Sequence, residues 1–123
     1  MTEKLVVCIM GEDHRDFLEL ALDSAKEADV LIYCDGGSTD GSQELASQYG
    51  ADVIQNDFDQ DDPLMNGKQR NFYLEYLKQH YMNSWCLAID ADEVIHDINK
   101  IKAFIQNAPR ISHQEGKDMP VVY

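Results

Sequence analysis

Short apolar runs alternate along the chain with longer stretches of helical period. Leu5-Val6-Val7-Cys8-Ile9-Met10, Val30-Leu31-Ile32-Tyr33-Cys34 and Trp85-Cys86-Leu87-Ala88-Ile89 are continuous apolar segments. Each is too short for a globular helix and reads as a strand buried on both faces. Ala51-Asp52-Val53-Ile54-Gln55 is a further strand, shorter and weaker. A helix is predicted from Asp13, a suitable N-cap, with Phe17, Leu20, Ala21 and Ala25 on its apolar stripe. The next helix carries Leu45, Ala46 and Tyr49, and Gly50 stands at its C′ position. Pro63 is placed to start a third helix running to Tyr81, with Tyr73, Leu77 and Tyr81 at i, i+4 and i+8. Asp97 then caps a fourth helix that buries Ile98, Ile101, Ile105 and Ala108. Residues from Pro109 to Lys117 read as polar loop, and Pro120-Val121-Val122-Tyr123 as the start of another strand.

Strand and helix in alternation are the pattern of right-handed βαβ units, hence an α/β fold on a parallel sheet. With 123 residues, 44% of them apolar, residues 1–123 are expected to form one domain around a single modest core. No segment reaches the ~20 apolar residues that a spanning helix needs. Met1-Thr2-Glu3-Lys4 lacks the basic start of a signal peptide, which makes the cytoplasm the default location.

Candidate chemistry begins at the exit of the Trp85 strand, where Asp90-Ala91-Asp92-Glu93 follows. In open α/β sheets, ligands bind beyond the carboxyl ends of the strands. Asp90 and Asp92, two apart in extended chain, would project to one side. Two hard oxygen donors suit Mg²⁺ or Mn²⁺ bridging to a substrate's phosphates. The competing reading is that Asp92 and Glu93 merely open a helix near Val94. Net charge changes the balance. At −13, from 10 basic and 23 acidic residues, the chain is a poor partner for nucleic acid or anionic lipid. A phosphate-bearing ligand would need a cation, and a metal supplies one.

Two more segments are candidates. Asp35-Gly36-Gly37-Ser38-Thr39-Asp40-Gly41-Ser42 superficially resembles a calcium loop, but Ala46 holds its twelfth position where a bidentate Glu is needed. The acidic surface loop from Asp57 to Asp62 fails the same test at Lys68. Asp35 instead stands at the carboxyl end of the second strand, on the same sheet edge as Asp90. There it could accept hydrogen bonds from a base or ribose, with Gly36 and Gly37 allowing close backbone approach. A plain turn and helix cap built from Ser38, Thr39 and Asp40 is the alternative. In Gly67-Lys68-Gln69-Arg70-Asn71, Lys68 and Asn71 share a helix face and Arg70 points off it. These basic groups could meet phosphate charge, or could line a solvated face. Cys8, Cys34 and Cys86 fall in strands without C-x-x-C spacing and read as buried thiols. His14, His80, His96 and His113 lack metal-ligand spacing and are assigned surface or capping roles.

Taken in order, these segments resemble the N-terminal half of family 2 glycosyltransferases, the inverting enzymes of the nucleotide-binding (Rossmann-like, GT-A) α/β/α sandwich. The resemblance rests on four segments and covers residues 5 to about 107. Val6-Val7-Cys8-Ile9-Met10 is similar to the first strand, and Asp35 to Ser42 to the D-x-x-S-x-D-G-[ST] segment. Arg70-Asn71 matches the R-N pair, and Trp85 to Glu93 the W-x-(apolar)-D-A-D-E form of the D-x-D motif. It implies that Asp35 contacts the base, uracil or another, with Met10 and Glu12 lining the base and ribose pocket. Gly37, Ser38 and Ala91 would also lie against the substrate. Lys68 and Arg70 would lie near the diphosphate. Asp90 would contact the ribose or sugar, and Asp92, with Asp90, would hold Mn²⁺ or Mg²⁺.

The partners so implied are a nucleotide-sugar donor and a glycan or lipid-linked acceptor, with no nucleic acid. An enzyme of this kind would be cytoplasmic or peripheral at the inner face of a membrane. Members continue into an acceptor-binding half that supplies the general base, usually an Asp. This sequence ends near where that half would begin, and no residue is assigned as base. The expectation is therefore a glycosyltransferase or its donor-binding half. The alternative is a non-catalytic nucleotide-sugar-binding or interaction module that self-associates or pairs with the missing half. A nucleotidyltransferase ranks below both, because Met10-Gly11-Glu12-Asp13-His14-Arg15 lacks the Gly-rich basic loop such enzymes carry after their first strand.

Overall fold

The computed structural model describes residues 4–107 and 121–122. Its strands are β1 (Leu5–Gly11), β2 (Val30–Asp35), β3 (Asp52–Gln55), β4 (Trp85–Asp90) and β5 (Val121–Val122). They form one parallel sheet in the order β3-β2-β1-β4-β5. The helices are α1 (Arg15–Ala25), α2 (Ser42–Gln48), α3 (Met65–His80) and α4 (Ile98–Asn107). This is the expected Rossmann-like α/β arrangement. The expected loop from Pro109 to Lys117 and Ala108 of the fourth helix lie outside the described residues.

The two faces of the sheet follow from the period of two along each strand. Leu5, Val7 and Ile9 of β1 pack with Leu18 and Leu22 of α1, Leu45 of α2, and Ile98 and Ile105 of α4. Val6, Cys8 and Met10 turn the other way, onto Ile32, Cys34 and Cys86 and onto Tyr73 and Leu77 of α3. Helices therefore cover both faces, and β1 in the middle is buried along its whole length. Removing a Leu or Ile side chain of this kind from water is worth about 1.5–3 kcal/mol, so the central strand anchors both layers at once. The three cysteines lie buried. Burial pushes the thiols of Cys34 and Cys86 up to about 12 and that of Cys8 well above its usual value.

Helix boundaries depart from the sequence reading in instructive ways. Leu18, Ala21, Leu22 and Ala25 form the buried stripe of α1, whereas Phe17 and Leu20 are 56% and 59% exposed. Apolar residues at 17, 18, 20, 21 and 22 satisfy two stripes about one residue apart, and periodicity does not choose between them. Packing against the sheet does. Nor does Asp13 cap this helix. It sits at φ 52° in the left-handed region, and the Arg15 N–H donates to Asp40 Oδ2 at 3.0 Å instead. Pro63 lies in a turn, and α3 begins two residues later at Met65. Tyr81 forms the C-cap of α3 rather than a third buried position, and Gln69, Tyr73 and Leu77 are buried. Asp97 does cap α4, its Oδ1 accepting from the N–H groups of Asn99 and Lys100 at 3.1 and 3.3 Å.

β1 ends under tight constraint. A Cβ at Gly11 would stand 2.5 Å from the Cβ of Ala91, so even one methyl must drive β1 and the chain after β4 apart. Gly11→Ala is expected to cost about 1–3 kcal/mol, the usual range for overpacking, as a lowered urea midpoint with unchanged m-value.

Candidate functional site

The chain leaves β1 in one direction, through α1 to β2 and β3, and returns from the other side to place β4 against β1. The sheet order therefore reverses between β1 and β4, and such a switch point opens a crevice at the carboxyl ends of the strands. A cavity of about 480 Å³ lies there. Met10, Gly11 and Glu12 line it from the end of β1, and Asp90, Ala91 and Asp92 from the end of β4. Arg70 reaches it from α3. Much of its remaining wall comes from the loop between β3 and α3, including Phe58, Gln60 and Asp62.

Of the residues singled out from sequence, Met10, Glu12, Arg70, Asp90, Ala91 and Asp92 meet in this cavity. Asp90 and Asp92 arrive there by a turn rather than by the extended chain expected. The Glu93 N–H donates to the Asp90 carbonyl at 2.9 Å, and Glu93 Oε1 accepts from the Asp90 N–H at 2.7 Å. Glu93 thus closes the turn, and no helix opens near Val94. The Ala91 N–H donates to the Met10 carbonyl at 2.8 Å and ties the turn to β1.

Asp35, Gly37, Ser38 and Lys68 do not line the cavity. The register explains Asp35. Gly11 pairs with Asp35, while Met10 pairs with Asp90. One residue of offset puts the two carboxylates on opposite faces of the sheet, although both stand at the same edge. Asp35 is 0% exposed. Its Oδ1 accepts from the Tyr33 hydroxyl at 2.7 Å and the Ser38 hydroxyl at 2.6 Å. Its Oδ2 accepts from the N–H groups of Gly37 and Ser38 at 2.9 and 2.7 Å and from Gln43 Nε2 at 2.7 Å. Burial works to raise its pKa, but the hydrogen bonds from Ser38, Tyr33 and Gln43 outweigh it and hold the carboxyl below its ordinary value. In this arrangement Asp35 has no acceptor capacity left for a base, and Gly37 and Ser38 spend their N–H groups on it. Lys68 forms an ion pair with Asp62.

Charge inside the cavity is lopsided. Glu12, Asp59, Asp62, Asp90 and Asp92 face Arg70 and His14. Burial raises the pKa of Asp90, with Glu93 adding to the rise and Arg70 opposing it. Among the described residues no trio of His, Cys, Asp or Glu converges on one point. The Asp90–Asp92 turn therefore fits a hard cation only if that cation draws its other oxygens from a ligand or water, as Mg²⁺ habitually does.

Sequence reasoning missed the β3–α3 loop as a wall and His14 as a lining residue. The loop showed only acidic surface character. Its place could have been read from topology, because it leaves the sheet at the same carboxyl edge as Asp90.

No protein-family model matches the chain, and no curated protein matches it. Solved structures of glucosyl-3-phosphoglycerate synthase from Mycobacterium tuberculosis are similar over part of it. The complex with phosphoglyceric acid matches at 28% identity and TM-score 0.40, over 43% of this chain and 21% of that one. The complex with Mn²⁺, uridine diphosphate and glucosyl-3-phosphoglycerate matches at 28% identity and TM-score 0.38, over the same shares. The match thus spans about a fifth of that enzyme's length.

Two substitutions separate the carboxylates. Asp35→Ala removes the acceptor of the Gly37 and Ser38 N–H groups and of the Ser38 hydroxyl, and is expected to cost about 3 kcal/mol or more in urea unfolding. Because the folded pKa of Asp35 lies low, its contribution is present at neutral pH and lost as pH falls through that folded value, so the deficit shrinks in acid. Asp90 has the opposite sign. A carboxyl with a raised folded pKa stabilises below its unfolded pKa and loses that contribution as pH rises through the folded one. Asp90→Asn is therefore expected to raise Tm at pH 7, with the gain fading toward about pH 3.

Proposed function

We propose that the cavity binds a nucleotide-diphosphate sugar, with UDP as the nucleotide. The chain would be a family 2 glycosyltransferase or its donor-binding half, transferring the sugar with inversion to a glycan or lipid-linked acceptor. One observation carries this reading. The Asp90 and Asp92 carboxylates, the Arg70 guanidinium, and Met10 and Glu12 are far apart in sequence and line one cavity at the switch point.

The residues divide the work by chemistry. Arg70 offers a planar fork of N–H donors to phosphate oxygens and is the cavity's permanent cation among the described residues. Glu12 accepts hydrogen bonds from ribose or base. Burial disfavours the charged form of Asp90, and a bound cation would offset that cost. Asp92, exposed on the turn, is placed to hold Mn²⁺ or Mg²⁺ together with Asp90. A bound metal would supply the electrophilic charge that stabilises the departing nucleoside diphosphate. Five carboxylates around a diphosphate make such a cation an electrostatic requirement. Asp35 supports the site from the opposite face, because Tyr33, its partner, also donates to the Gly11 carbonyl at 3.3 Å. No residue of the cavity is assigned as general base, which the reading leaves to an acceptor-binding half.

Thermal unfolding with UDP and UDP-sugars, with and without Mn²⁺, tests the reading. A ligand at ~100 times its Kd adds about 2.7 kcal/mol, roughly 10 °C in Tm for a domain near this size. The metal-dependent part of that shift is expected to vanish in Asp92→Ala. A shift that produces no transfer would favour a binding module without catalysis. Absence of any shift with every nucleotide would sink the proposal.

A further inference from the structure

Phe58 stands three residues beyond β3, and its N–H donates to the Gly36 carbonyl at 2.8 Å. Its ring lies directly on Gly36. A Cβ there would fall 2.0, 2.5 and 2.9 Å from three ring carbons. Gly36 does not adopt positive φ, unlike Gly37, Gly41 and Gly50. It is therefore glycine for the space it leaves and not for its backbone conformation. The chain has given up a side chain at the exit of β2 so that an aromatic ring can lie there, half-buried, along the cavity.

The strand order fixes where this ring stands relative to the charged groups. Gly36 follows β2, Asp90 ends β4, and β1 runs between them. Two inter-strand spacings of about 4.8 Å separate the two exits by about 10 Å. That is comparable to the distance from a nucleobase to its diphosphate. The cavity consequently has an aromatic end and an ionic end at nucleotide spacing, with Met10 between them. In the same cavity, Gln60 Nε2 donates to Glu12 Oε2 at 3.0 Å, holding a carboxylate ready to accept from N–H or hydroxyl groups.

We propose that Phe58 is the stacking platform for the nucleobase, with the Glu12–Gln60 pair facing the polar edge of the base or ribose. The assignment rests on the nucleotide-sugar reading and deepens it. Base–aromatic stacking is sequence-tolerant because every base presents a π-face, so Phe58 supplies affinity and the Glu12–Gln60 pair supplies discrimination.

The test uses isothermal titration with Mn²⁺ present. The probes are pyrophosphate and the tightest binder among UDP, GDP, ADP and CDP. Phe58→Leu keeps apolar bulk over the core but loses the π-face. It is expected to weaken the nucleoside diphosphate about tenfold or more while leaving pyrophosphate affinity unchanged. A merely structural role would weaken both together. Phe58→Trp restores a π-face in case the leucine variant fails to fold. It is expected to bind the nucleotide as the parent does, its added fluorescence being quenched by the nucleotide and not by pyrophosphate. Unchanged nucleotide affinity in Phe58→Leu, equal loss for both probes, or unquenched Phe58→Trp would overturn the platform alone. A parent protein that binds pyrophosphate or nothing, but no nucleotide better, would overturn the nucleotide reading with it.

Discussion

The exit of β1 has no room to spare, and the site depends on that crowding. Gly11 stands against Ala91 so closely that no side chain fits. Its carbonyl accepts from the N–H of Gly36 at 2.9 Å and from the Tyr33 hydroxyl, while the carbonyl of Met10 takes the N–H of Ala91. The loops that follow β2 and β4 are thus fastened to two consecutive residues of the most buried strand in the sheet, and the loop after β3 is tied to the second of them through Gly36. Close packing converts a small change there into a displacement of everything attached. The positions of Asp90, Asp92 and the ring of Phe58 are therefore set from beneath, by backbone contacts, before any ligand arrives.

Around that fixed point the two faces of the sheet carry different kinds of polar chemistry. On the side of α1 and α2, Asp35 is saturated by hydroxyl, amide and backbone donors, so its charge is spent on holding loops together. The side of α3 is the reverse. Asp90 keeps an unsettled charge between Glu93, Asp92 and Arg70. The first carboxylate contributes to stability and the second detracts from it, as buried charge generally does unless it is paired. That contrast separates a side whose charge is fully compensated from one, the α3 side, where it is not.

Strand positions were readable from apolar runs because parallel strands are buried on both faces and tolerate few polar residues. Asp90, Asp92 and Arg70 could be singled out because charged side chains near the carboxyl ends of the strands stand out from the sequence, and the fold brings them to one cavity. The face on which Asp35 lies was not readable, for a physical reason. Sequence reveals that a residue ends a strand, but its face depends on register against the neighbouring strand, and one residue decides it. The pairing of Lys68 was equally unreadable, because a flexible side chain in an acidic chain takes a nearby carboxylate, here Asp62. The exposure of Phe17 and Leu20 shows the same limit in a helix, where two overlapping apolar stripes leave the choice to tertiary packing. Phe58 escaped notice altogether, since its meaning lies in Gly36, a residue 22 positions away (58 minus 36) that only the folded sheet brings beneath it.

Cys8, Cys34 and Cys86 sit on the three central strands, facing α3. In an unfolded chain each thiol titrates near the ordinary value of ~8.5 and exposes some reactive thiolate at neutral pH. Inside the sheet, burial keeps them protonated and out of reach. Folding is thus an off-switch for their redox chemistry. The strands that shelter them are distant in sequence, and such non-local pairings form slowly. The vulnerable period for oxidation is accordingly the interval between synthesis and the docking of β2 and β4 on β1, after which the protein's thiols cease to be chemically visible.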